Sequence, residues 1–195
     1  HVTGVQTCAL PICNAGPEAA SAKPDHAPGA PHVVTQNASF TEQAGLTHSA
    51  LPDTVTGQIT WTDVNLGDRP SAAVSFSTFS YHDAGGKDVT SQLTAAELAA
   101  IKAVEIPLLL QSDPNNTNVG SATWTYSLAD GAFDFLAAGE TLTLTYLVRV
   151  DNNYAPSNET AFKTITITIT GTNDTPVVTS APQVASITEL PWTTN

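Results

Sequence analysis

The run Lys163–Thr170, KTITITIT, alternates without a break, with Ile165, Ile167 and Ile169 on one side and threonines on the other. A strict period of two fits an extended strand whose faces meet different surroundings, and no helix reproduces it. Four other runs read the same way. Glu140–Val150 points Leu142, Leu144, Tyr146, Val148 and Val150 to one face. Thr54–Thr62 aligns Val55, Gly57, Ile59 and Trp61, and Ser121–Leu128 aligns Ala122, Trp124, Tyr126 and Leu128. Ala73–Tyr81 starts in register with Val74 and Phe76, then slips at Phe79. Hydrophobic-in, polar-out strands belong to antiparallel sheets with one solvated face. The chain holds 29 threonines among its 195 residues, and their β-branched side chains suit the outer faces of such sheets.

One helix interrupts the β pattern. Leu93–Val104 places Leu98 and Ile101 at helical spacing, Thr94 and Glu97 form a capping box, and Pro107 lies beyond. A shorter turn is expected over Ala132–Ala138, closed by Gly139 in the left-handed position after it. Ser112–Gly120 is a polar loop. With several short strands, turns between them and no βαβ alternation, the expected fold is all-β: an immunoglobulin- or cadherin-like antiparallel β-sandwich with a short helical insertion. Its core should hold Trp61, Phe76, Trp124, Tyr126, Phe133, Phe135, Leu142, Leu144, Tyr146, Val148, Ile165, Ile167 and Ile169. The Glu140–Val150 and Lys163–Thr170 runs should pair as antiparallel neighbours across an exposed Asp151–Thr160 hairpin loop.

The ends differ from this pattern. Val2–Ile12 resembles the in-frame translation of a common sequencing-library adapter, and it contains Cys8, with Cys13 just after it. Asn14–His32 is rich in Ala and Pro with almost no large apolar residue, so residues 1–32 are expected to be an artefact followed by a disordered linker. Asn14–Asn195 contains no cysteine, so no disulfide holds the sandwich. Val33-Val34-Thr35 recurs as Val177-Val178-Thr179, and Phe40-Thr41-Glu42 as Ile187-Thr188-Glu189, at offsets of 144 and 147 residues. Repetition at that length means tandem domains. Residues 33–175 are accordingly one unit, and residues 176–195 open the next.

Charge narrows the function. Six Lys and Arg stand against eighteen Asp and Glu, a formal charge of −12. So few cations cannot form a phosphate-binding groove, which excludes nucleic acid, and anionic membrane surfaces are excluded by the same sign. No apolar run approaches the ~18 residues of a membrane-spanning helix. Nucleophile elbows, His-Glu-x-x-His and phosphate-binding glycine loops are absent, and of five histidines only His48 and His82 fall inside the unit. No enzymatic activity is expected. Excess carboxylates favour cationic partners, and hard Ca²⁺ takes six to eight oxygens from carboxylates, amides, carbonyls and water. Three places offer such oxygens: the turn Asp63–Asp68 with Asp63, Asn65 and Asp68; Asn173-Asp174 after the last strand; and Glu42 and Glu189 near the start of each unit. Asp63–Asp68 does not follow the EF-hand pattern, because glycine falls at the fifth position and Val74 stands at the twelfth. Ordinary turn chemistry is the competing account of each place.

The stretches TWTYSLADGAFDFLAAGETLTLTYLVRVD, Thr123–Asp151, and TITITITGTNDTPV, Thr164–Val177, closely resemble the VCBS-repeat family, and TVTGQITWTDVNLGDRP, Thr54–Pro70, resembles its opening. Those repeats are tandem domains of very large bacterial secreted and surface proteins, often adhesins exported by type I secretion with RTX-type ends. The closing GTNDTP is similar to the linker of cadherins, whose Asn-Asp groups bind Ca²⁺ between domains. The resemblance implies that Asn173 and Asp174 are Ca²⁺ ligands together with a Glu at the unit's start and the Asp63–Asn65–Asp68 turn, although Asn65 stands where the family usually has Asp. It also implies an extracellular, surface-bound spacer whose partners are neighbouring repeats and a surface glycan or protein. A glycan-binding lectin-like module and an accessory domain of a secreted enzyme are the alternatives. A lectin would need exposed aromatics grouped on one loop surface, and Tyr154 and Trp192 are the candidates outside the expected core.

Overall fold

A computed structural model describes residues 28–113, 117–154 and 157–176, with 180 and 186. Eight strands form two four-stranded sheets packed face to face. The first sheet has the order β1 (His32–Thr35), β3 (Pro52–Thr62), β6 (Val119–Ala129) and β5 (Leu109–Ser112). The second has β2 (Ala38–Thr41), β8 (Thr160–Thr170), β7 (Thr141–Asp151) and β4 (Ser71–His82). All pairings are antiparallel except β2 with β8, which run parallel. The fold is the expected β-sandwich.

The alternating runs explain this arrangement. The inward row of β7 (Leu142, Leu144, Tyr146, Val148, Val150) and the Ile165–Ile167–Ile169 row of β8 are fully buried, and Leu144 lies opposite Ile167. Trp61 and Trp124 fill the facing sheet. Each such side chain contributes about 1.5–3 kcal/mol on leaving water, so the two rows hold the sheets together with no covalent link. Phe76 and Phe135 are half-buried at the edge of this core. The slip at Phe79 has a cause: β4 carries a bulge between Phe76 and Thr78, which moves the later residues to new partners.

The helix α1 (Ala95–Val104) starts with the expected capping box, in which Thr94 accepts from the Glu97 N–H and Glu97 accepts from the Thr94 N–H. Ile101 and Val104 bury its inner face. Two core tyrosines then hold its exit, Tyr126 donating to the Val104 carbonyl (2.9 Å) and Tyr146 to the Ile106 carbonyl (2.8 Å). β1 begins at His32, one residue before the expected start of the unit, and Gly29 donates to the Glu159 carboxylate at 2.9 Å. The loop between β7 and β8 covers residues 152–159, because each strand reaches one residue further than the loop expected from the sequence. Residues 1–27, both cysteines, Glu189, Trp192 and the repeated Val177-Val178-Thr179 lie outside the described residues.

Candidate metal centre

One end of the sandwich gathers carboxylates from separate parts of the chain. Glu42 follows β2 directly, its N–H donating to the Thr170 carbonyl at 3.1 Å, so the β2–β8 pairing fixes its place. Asp174 stands four residues past the end of β8. Asp130 and Asp134 belong to the turn after β6. That turn is anchored by Phe133 and Leu136, both buried, and Phe133 meets Phe40 edge-on with ring centroids 5.4 Å apart. Because Phe133 and Leu136 occupy the core, Asp134 between them is turned toward the surface pole.

The loop from Gln43 to Leu51 is tied down on this turn. The Gln43 N–H donates to Asp130 Oδ1 (2.7 Å) and the His48 N–H to Asp134 Oδ2 (2.8 Å). The Asp130 and Gly131 N–H groups donate to the Leu51 and Ser49 carbonyls (2.8 and 2.9 Å). The approach is so close that a Cβ on Gly131 would lie 2.8 Å from the His48 backbone. Each turn aspartate thus uses one oxygen to hold the loop. Their second oxygens, Asp130 Oδ2 and Asp134 Oδ1, are buried, as are both oxygens of Glu42 and both of Asp174, and apart from the Thr172 N–H near Glu42 and the contact of the Glu42 and Asp174 carboxyls they meet no donor.

Carboxylate oxygens of Glu42, Asp134 and Asp174 lie within 4.8 Å of one another. Glu42 is 3% exposed. Burial, then the charge of Asp174 and a hydrogen bond with its carboxyl, push the Glu42 carboxyl up to about 8; the backbone N–H of Thr172 opposes them, and the Asp130 charge adds least. No lysine or arginine figures among the groups acting on it. Buried carboxylates drawn together with no counter-charge require a shared proton or a cation. Carboxylate oxygens this close can share one divalent cation, and hard anionic oxygens are the ligands Ca²⁺ takes.

Of the residues expected from the sequence, Glu42 and Asp174 are brought together here. Asn173 joins the same segment through its backbone, its carbonyl accepting from the Gly45 N–H at 3.2 Å while its side chain is exposed. Asp63, Asn65 and Asp68 sit at the other end of β3, roughly 33 Å away for ten steps of about 3.3 Å. There Asp63 Oδ1 accepts from the Asn65 N–H (2.8 Å) and Asn65 Nδ2 (3.2 Å), and Asn118 Nδ2 donates to the Asp63 carbonyl (2.8 Å). Among the described residues, no third carboxylate joins Asp63 and Asp68. Sequence reasoning missed Asp130 and Asp134. Their signal was two acids flanking a glycine in the turn between two strongly alternating strands, with no basic residue near.

No protein-family model matches the chain, and no curated protein does. Among solved structures it is similar to AggA, the major subunit of aggregative adherence fimbriae type I of Escherichia coli, at 11% identity and a TM-score of 0.41, covering 75% of this chain and 98% of that one. PapD-like domain 7 of human CEP192 gives 11% and 0.37, covering 89% and 99%. The CooA pilin subunit of enterotoxigenic Escherichia coli gives 16% and 0.29, covering 73% and 99%. Likeness at this level carries no functional conclusion. No helix among the described residues is long and apolar enough to cross a membrane.

Proposed function

We propose that the chain is a structural spacer repeat of a large bacterial surface protein, stiffened by Ca²⁺ where it leaves the sandwich. The observation that carries this reading is the Glu42–Asp134–Asp174 triad, drawn from three separate segments with no lysine or arginine among the groups acting on Glu42. Asp174 lies on the segment that continues past the domain through Thr175 and Pro176. A cation held by all three residues therefore fastens that exit to the end of β2 and to the turn after β6. Without it the carboxylates repel one another and the exit is free to swing. The resemblance of Thr123–Asp151 and Thr164–Val177 to VCBS repeats supplies the tandem, extracellular setting, with neighbouring repeats as partners and no catalysis. Extracellular modules bind Ca²⁺ with dissociation constants of about 10⁻⁴–10⁻³ M. Calorimetric titration should find a site in that range in the chain, and Asp174→Ala should abolish it while the circular dichroism of the sheets is kept. Absence of Ca²⁺ binding at millimolar concentration would overturn the reading.

A further inference from the structure

The chain enters the sandwich at one pole and leaves it at the other. His32, which opens β1, lies opposite Thr62, the last residue of β3, so the Asp63–Asp68 turn stands at the entry. Val64 and Leu66 on that turn are 72% and 81% exposed, the most exposed large apolar side chains among the described residues. Asp, Asn and Gly account for the shape of the turn, and nothing in the fold calls for two aliphatic side chains there. At the exit, the segment after β8 is laced to the loop after β2. The Gly45 N–H donates to the Asn173 carbonyl (3.2 Å), the Thr175 hydroxyl to the Gly45 carbonyl (3.0 Å) and the Thr47 hydroxyl to the Thr175 carbonyl. Beside this lacing lies a mainly apolar hollow of about 380 Å³, walled by Leu46, Leu51 and Thr175, with Leu46 39% and Leu51 57% exposed. We propose that this hollow receives the Val64–Leu66 turn of a second copy of the unit, so that successive repeats dock head to tail.

The repeat offset brings the two poles together. At 144 residues, Gly29 corresponds to Asn173 and His32 to Pro176. Gly29 gives its N–H to the Glu159 carboxylate at 2.9 Å, and a Cβ there would meet nothing within 4 Å, so asparagine fits its place. Asn173 then serves both units. Its carbonyl is held by Gly45 and its N–H by the next unit's counterpart of Glu159, which leaves no slack linker between them. Pro176, in the place of His32, falls opposite the next unit's counterpart of Thr62, directly after Thr175 in the wall of the hollow. The counterpart of Val64 follows two residues on and meets the hollow. Charge agrees with this: Arg69 is exposed on the turn while Asp63 and Asp68 are buried, so a cation faces the acidic exit. A contact that uses different surfaces on its two sides extends into an array.

This inference rests on the tandem-repeat reading and not on a bound cation. Adjoining domains meet at an effective concentration of about 1 mM, so the same contact must form between separate chains at that concentration. The full chain, with ¹³C-labelled leucine methyls, is titrated with unlabelled chain to about 1 mM in about 0.15 M salt. The Leu46 and Leu51 methyl resonances should move progressively. Unlabelled Leu66→Ser chain should move them several-fold less, and Leu66 is so exposed that this variant keeps the fold. Leu109→Ser, on β5 beside the middle of the sheet, should act as the unaltered chain does. Resonances that stay in place at the end of the titration, or that move equally with Leu66→Ser, overturn the proposal. Movement lost with Leu109→Ser and kept with Leu66→Ser assigns the contact to β5 and overturns it as well. Calorimetric Ca²⁺ binding is read separately: loss of movement with binding intact overturns the docking alone, and movement without binding overturns the metal reading alone.

Discussion

At the Asp63 end of the sandwich the acids serve their own turn. Asp63 caps the Asn65 N–H two residues on, Asp68 donates its N–H to the Asn65 carbonyl, and Arg69 accompanies them by donating to the Leu66 and Asp68 carbonyls. At the Glu42 end the acids come from β2, the start of β3, the turn after β6 and the segment after β8, and several of their oxygens have no donor. Both ends are acidic turns by composition. The difference is where the acids lie: Asp63 and Asp68 share one turn, whereas Glu42 and Asp174 are brought together across about 130 residues of chain. Asp63 Oδ2 is also buried without a donor, so what marks the Glu42 end is the convergence of three carboxylates from separate segments.

The largest effect separating the ends should come from adding one methyl group at each. Gly131→Ala places a Cβ 2.8 Å from the His48 backbone, so the loop carrying Gln43 must move off the turn. Overpacking of this kind costs about 1–3 kcal/mol. Gly67→Ala meets nothing within 4 Å and needs no positive φ, so it should change stability by less than about 0.5 kcal/mol. Urea denaturation of the two variants measures both. Equal midpoints would mean that the loop is not packed as closely as the glycine suggests.

Calcium should produce the next largest difference. At ten times the dissociation constant, a site present only in the folded state adds about RT ln 11, or roughly 1.4 kcal/mol. For a domain of this size that raises the melting temperature by about 3–6 °C. Glu42→Gln should remove the gain, and Asp63→Asn should keep it. Mg²⁺ at the same concentration should give much less, because it demands a tighter octahedron and releases its waters reluctantly. A gain lost with Asp63→Asn and kept with Glu42→Gln would reverse the roles of the two ends.

How far each end could be read from the sequence follows from the same distinction. The strands were legible because alternation is local: β7 and β8 pair as antiparallel neighbours, as the Leu and Ile rows require. The helix was legible because Thr94 and Glu97 are three residues apart. β5 was missed, since LLQS is short and does not alternate, and so was the parallel pairing of β2 with β8, which no local pattern encodes. That pairing puts Glu42 beside the exit of β8. Glu42 and Asp174 were legible as acids at the start and end of the unit, a placing the family resemblance supported, while Asp130 and Asp134 were missed because only the burial of Phe133 and Leu136 fixes which way their turn faces. Asn173 matched its motif, but it contributes a carbonyl to the loop where a side-chain ligand was expected.

The ends should also part in their response to pH when metal is chelated. Glu42 titrates near 8 when folded and near 4.5 as a free side chain, so the folded protein holds more protons between those values. Stability then falls with rising pH across that window: the contribution is complete below about 4.5 and gone above about 8. Asp53, also raised, acts in the same direction. Asp88, Glu97 and Asp151 are lowered, so their contributions are lost only in more acidic solution, outside this window. Melting temperature in chelator should therefore decline from pH 5 to pH 8, and saturating Ca²⁺ should flatten or invert the trend. A rise over that range in chelator would show that Glu42 is ionised and stabilised without metal.

The smallest effect belongs to Asp63→Asn in the metal-free protein. The amide oxygen of asparagine can accept the Asn65 N–H just as Asp63 Oδ1 does at 2.8 Å, and asparagine is as good a turn former as aspartate. Asn118 contacts the Asp63 backbone, which the substitution leaves in place. What changes is the charge, and the Asn65 amide nearby can turn to present its oxygen to the new NH₂ group. The expected shift is within about 0.5 kcal/mol, because the turn and its backbone contacts are kept. Glu42→Gln offers the contrast: it removes a buried charge that repels Asp174 and Asp130, so in chelator at pH 8 it should stabilise the protein. If Asp63→Asn instead stabilised the metal-free protein as much as Glu42→Gln, then repulsion would be stored at both ends. The Asp63 turn would then need a cation as much as the Glu42 end does.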